Sequence, residues 1–196
     1  MERSAGFVAL GQQTIATSIM IRLLLLVIVF QQLALAQEKP TAPTHVPNFK
    51  LPDQHDKLRY VQFPRSKPTM FIVSDQKGSK EIEAWVRPVR RRFDTQIEID
   101  GIADLTPVPK RLRGVVRRAF KDELDYSVML DWEGGVSKDF RYTKEKANVF
   151  VVDTTGKVLF HTAGRASPEQ FKKVYAILDA ALKSIPQAEE RRRGTP

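Results

Sequence analysis

The chain has 196 residues, of which 42% are hydrophobic, carries a formal charge of +9 and contains no cysteine. A thiolate is the nucleophile of dithiol exchange and of thiol-dependent peroxide reduction, so both activities are excluded, as are disulfide staples and a lipid anchor on cysteine. The positive balance suits anionic partners, or simply solubility.

At the N-terminus, Arg22 precedes an unbroken apolar run at residues 23–30 (LLLLVIVF), and Ala34-Leu35-Ala36 supplies the small-x-small pattern that signal peptidases accept. That run is far shorter than the roughly 18 to 20 residues that span a bilayer. Residues 1–36 are therefore expected to be a signal peptide cut between Ala36 and Gln37, with Met20 as an alternative start. The mature protein would be periplasmic or secreted and keep no membrane anchor. Removing those residues takes two arginines and one glutamate, leaving +8. Residues 37–45, with Pro40 and Pro43, read as a linker, 46–185 as the folded domain, and 186–196 as a disordered basic tail.

Within the domain, strand and helix patterns alternate. Residues 69–74 (TMFIVS) form a short apolar run typical of a buried central strand. Residues 78–93 place Ile82, Trp85, Val86, Val89 and Phe93 on one helical stripe, which Pro88 should kink. Residues 96–105 read as a second strand. Residues 110–124 read as an amphipathic helix, its inner face formed by Leu112, Val115, Val116, Ala119 and Phe120. A short strand or an extended segment at 127–130 and a turn at 132–135 follow. Two apolar runs, 149–152 and 158–160, flank Asp153-Thr154-Thr155-Gly156 and predict a hairpin. Ser167-Pro168-Glu169-Gln170 then supplies an N-cap, a first-turn proline and a capping-box glutamine for a last helix. This order predicts a mixed sheet between helices, a three-layer α/β/α sandwich.

That layout resembles the thioredoxin-like fold. Residues 46–57 (VPNFKLPDQHDK) resemble the entry of the redoxin and peroxiredoxin group, with Asp56 where glycine is usual, and residues 149–164 resemble that group's hairpin. The stretch 128–142 (VMLDWEGGVSKDFRY), the Asp153 hairpin and the capped last helix together look more specifically like the exported YtfJ-type proteins. The resemblance covers about residues 46–182. It implies a redox thiol between the central strand and the next helix, where this chain has Gln76, Lys77, Gly78 and Ser79. It also implies a cis-proline before the hairpin, where this chain has Lys146 and Ala147.

Those six residues form the expected ligand-binding surface, since backbone N–H groups at a helix start together with Lys77, Lys80 and Lys146 attract carboxylate or phosphate. An alternative basic strip is Lys110, Arg113 and Arg117. Ser79 as a nucleophile would need a base, and an N-cap role accounts for it more simply. His45, His55 and His161 lack metal-pair spacing, and Asp75, Asp131 and Asp153 end apolar runs as turn residues do. No metal or cofactor is expected. The basic residues lack the interleaved aromatics of RNA binders, so no nucleic acid is expected either. The expected function is binding of an envelope protein or anionic ligand. The alternatives are a thiol-independent enzyme of redoxin descent and an accessory structural domain of an envelope assembly.

Overall fold

The computed structural model describes residues 42–193, with side chains described as far as residue 185. The signal-like segment with its Ala36/Gln37 cut, Met20 and most of the linker lie outside the described residues. Along the described chain run β1 (Phe49–Pro52), β2 (Leu58–Val61), β3 (Thr69–Ser74), α1 (Ile82–Phe93), β4 (Glu98–Asp104), α2 (Arg113–Glu123), β5 (Val128–Asp131), α3 (Gly135–Asp139), β6 (Asn148–Val152), β7 (Val158–Ala163) and α4 (Pro168–Arg193). Short 3-10 turns, Gly78–Glu81 and Lys110–Leu112, lead into α1 and α2.

The central sheet has the order β5-β4-β3-β6-β7, with β3, β4 and β5 parallel and β6 and β7 antiparallel. Every residue of β3, β5 and β6 is buried, as expected of strands covered on both faces. On one face Met70, Ile72, Val149 and Val151 meet Trp85, Val89 and Phe93 of α1 and Val174 and Leu178 of α4. Beside them α2 sets Val116 and Phe120 against Val128 and Leu130. On the other face Phe71, Val73, Phe150 and Val152 meet Val136 of α3, Phe140 just after it, and Phe49 and Leu51 of β1. Among the described residues this is the three-layer α/β/α arrangement, with the β1–β2 hairpin completing the third layer.

Four details differ from the sequence reading. Residues 46–57 do not simply lead into the domain. They hold β1, which pairs with β2 across a turn in which Asp53 Oδ1 accepts the N–H groups of His55 and Lys57. The Asp153 hairpin turn repeats this arrangement, its Oδ1 accepting from Thr155 N and Lys157 N. The sequence marks only the second turn as glycine-bearing: Gly156 has φ 95° and Asp56 takes φ 60° in the matching place. The expected linker ends early, because Thr44 O accepts Val158 N–H and Val46 N–H reaches Gly156 O, docking the entry strand on the hairpin. The short helix α3 stands directly after the expected turn. Finally, α4 passes Pro186 and continues to Arg193 where a disordered tail was expected. The favourable helix propensity of Ala188, Glu189, Glu190 and the arginines outweighs one missing N–H there.

Candidate functional site

The three parallel strands end together, and at their carboxyl ends stand Asp75, Asp104 and Asp131. In open α/β sheets this is the edge where loops form ligand sites. Asp75 holds the loop after β3: Oδ1 accepts N–H groups from Lys77 (3.1 Å) and Gly78 (2.9 Å), and Oδ2 accepts the N–H of Glu145 (2.7 Å). The capping side chain is therefore Asp75 and not Ser79. The Ser79 hydroxyl instead donates to Gln76 O at 2.8 Å, and no base addresses it among the described residues.

The structure brings the two expected segments together. Gly78 lies bare against the Lys146–Ala147 peptide: a Cβ built on Gly78 would stand 2.4 Å from the carbonyl carbon and oxygen of Lys146. Lys77 and Glu145 join across the same seam at 2.5 Å. That hydrogen bond raises the Lys77 ammonium above its ordinary value. Glu81 Oε2 accepts the Ala147 N–H at 3.1 Å, a donor that a proline in that position would lack. Asn148 closes the loop from below, accepting from Thr143 N and donating to Thr143 O and Lys146 O. The backbone N–H groups of Lys77, Gly78 and Ala147 are thus occupied by Asp75 and Glu81. Lys80, Lys144 and Lys146 remain exposed at the rim.

Beside this loop Tyr142 donates to Asp104 Oδ2 at 2.5 Å, and Thr106 donates through both N–H and hydroxyl to Asp104 Oδ1. Burial would raise the Asp104 carboxyl, but these bonds outweigh it and hold the group below its ordinary value. Burial and the bonded carboxylate push the Tyr142 hydroxyl far up, so it stays a neutral donor. Asp131 accepts from Gly134 N and Ser137 N, fixing the start of α3. Asp131 and Asp153 do the turn work expected of them. Asp104 and Tyr142 were not singled out by the sequence, since a tyrosine 38 residues away carries no local pattern.

The alternative basic strip is dismantled by the fold. Arg113 pairs with Glu133 at 2.8 Å and Arg117 with Asp56 at 2.9 Å. Both guanidinium groups lie over the Trp132 ring, 5.3 and 5.8 Å from its centroid, so only Lys110 of that set is left exposed and outside an ion pair among the described residues. The histidines are scattered. His45 bridges to Lys157, His55 sits in the first turn, and His161 stacks on Phe150 at 4.3 Å. No group of three or more metal-ligating side chains gathers among the described residues.

No protein-family model matches the sequence, and no curated protein matches it. Among solved structures the chain is similar to a Chlorobium tepidum protein assigned as thiol:disulfide interchange protein DsbE, at 13% identity and TM-score 0.55, covering 74% of this chain and 99% of that one. It is also similar to StoA from Bacillus subtilis (14% identity, TM-score 0.52, 67% of this chain and 98% of that one). A third is the exposed lipoprotein thioredoxin of Streptococcus pneumoniae (12%, 0.53, 65% and 97%). The chain has the thioredoxin-like fold, and it has no cysteine.

Proposed function

We propose that this chain is an exported, thiol-free thioredoxin-like domain of the YtfJ type, and that it works by binding a partner protein through the loops at the carboxyl ends of β3, β4 and β5. The observation carrying this reading is the seam between Gly78 and the Lys146–Ala147 peptide, built to backbone contact although neither side offers a thiol. A nucleophile paired with a base would favour an enzyme, and the Ser79 hydroxyl instead donates to a backbone carbonyl. A small anion is disfavoured because Asp75 and Glu81 already accept the N–H groups that would hold it. What remains for recognition is a rim bearing the exposed Lys80, Lys144 and Lys146, which suits an acidic protein surface.

The test is capture from an envelope extract, identification of the captured protein by mass, and titration of the purified pair. Lys144→Glu with Lys146→Glu should weaken the complex at least tenfold, about 1.4 kcal/mol, at an unchanged melting temperature. Disulfide reduction or peroxide turnover abolished by Ser79→Ala would overturn the reading in favour of an enzyme. Undiminished capture by the lysine variant would remove the loops from the binding surface.

A further inference from the structure

Helix α2, with the 3-10 turn Lys110–Leu112 that leads into it, is rotated against its own hydrophobic pattern. Leu112, Val115 and Ala119, expected to face the core, are turned outward, with Leu112 43% and Val115 68% exposed. The inner side is made instead by Val116, Phe120 and the two arginines at 113 and 117. The rotation has a cause: the guanidinium groups are stacked on Trp132 and tied to Glu133 and Asp56, so turning the apolar residues inward would break two ion pairs and two cation–π contacts. The outward side is therefore a fixed feature. Beside its apolar residues stand Arg111 and Arg118, with Lys110 and Lys121 farther round, all exposed and none in an ion pair among the described residues. Asp122 and Glu123 offset them only in the last turn.

We infer that this outward side of α2 is a docking surface for anionic phospholipid bilayers, with Leu112 and Val115 entering the headgroup layer and Arg111 and Arg118 meeting phosphates. Charge complementarity selects this occupant: the chain carries +9, and each basic side chain held near an anionic membrane contributes about 1 kcal/mol of attraction. Shape supports it as well. Two apolar side chains on a convex helix offer a protein partner no groove to fill, whereas a soft headgroup layer admits such a ridge and leaves flanking arginines at phosphate depth. The contact is peripheral, since no helix among the described residues is long and apolar enough to cross a membrane. It involves none of Lys80, Lys144 and Lys146, the rim lysines of the proposed partner site.

The cysteine-free chain allows a clean test. Val115→Cys carrying an environment-sensitive fluorophore reports on α2 alone, whatever the N-terminal apolar segment does, and Thr155→Cys in the exposed hairpin turn is the reference. Vesicles of phosphatidylglycerol and phosphatidylcholine at about 0.1 M salt, where charge attraction still reaches about 10 Å, should shift the Val115 probe to the blue and leave the Thr155 probe unchanged. Pure phosphatidylcholine should move neither. Arg111→Glu with Arg118→Glu should raise the lipid concentration for half-maximal shift at least tenfold, at an unchanged melting temperature. A silent Val115 probe, an equal response to neutral vesicles, or indifference to the arginine changes would each overturn the assignment.

Discussion

Replacing Gly78 by alanine tests the seam on which the candidate site rests. The new methyl carbon would stand 2.4 Å from two backbone atoms of Lys146 and 3.0 Å from Ala147 N, where ordinary contact begins at 3.4 Å. Neither neighbour is a flexible side-chain end, so the loop and the helix start must part by about 1 Å. Overpacking of this kind costs roughly 1–3 kcal/mol. The displacement also strains the Gly78–Asp75 and Ala147–Glu81 hydrogen bonds, each contributing about 1 kcal/mol. Stiffening the unfolded chain offsets about 0.4–1 kcal/mol of this. The expected net loss is about 3 kcal/mol, a fall in Tm of about 6–12 °C for a domain of this size. Gly114→Ala is the internal control, because nothing lies within 4 Å of its added carbon and it sits in α2. There the same chemical change should stabilise by about 0.5–1 kcal/mol. Urea unfolding of both variants measures the pair. A Gly78→Ala protein no less stable than its parent would show that the two segments are not in contact, and the site would lose its foundation.

Tyr142→Phe deletes a donor to a buried carboxylate and should cost about 1.5–3 kcal/mol at pH 7. Because the folded-state Asp104 carboxyl lies below its ordinary 3.8, its stabilising contribution is complete above that value and is lost as pH falls through the lower folded value. The deficit of the variant should therefore shrink in acid, and urea curves showing the same deficit at neutral pH and in strong acid would contradict the Tyr142–Asp104 assignment. Asp56→Gly relieves a left-handed residue, worth about 1–2 kcal/mol, but gives up the exposed pair with Arg117, worth at most about 1 kcal/mol. A modest net gain in denaturation midpoint is expected, and a loss would mean that the Asp56–Arg117 pair is a principal brace of α2.

The legible parts of this fold were those whose pattern is local. TMFIVS is an apolar run typical of a doubly covered strand, VFVV flanks the predicted hairpin turn, and the reciprocal Ser167–Gln170 cap is present as its spacing required. What escaped depended on contacts distant in sequence. The rotation of α2 follows from Trp132 and Asp56, which lie outside the helix and reverse the orientation that its apolar periodicity implies. The β1–β2 hairpin is held by Gln54, whose amide accepts from Val128 N and donates to Tyr126 O across 72 residues or more. At the site, the juxtaposition of residues 76–79 with 146–147 was legible through the fold resemblance. The occupation of its N–H groups by Asp75 and Glu81 was not, since only three-dimensional placement shows which carboxylate reaches which donor.

The arginine stack that sets the rotation of α2 also separates two kinds of selection on one helix. Changes at Arg113, Arg117 or Trp132 disturb the seating of α2 on the Trp132 ring, whereas Leu112, Val115 and Ala119 can vary with little effect on stability. A lineage carrying this scaffold is therefore free to drift, sharpen or abandon whatever that outer surface touches without passing through unstable intermediates.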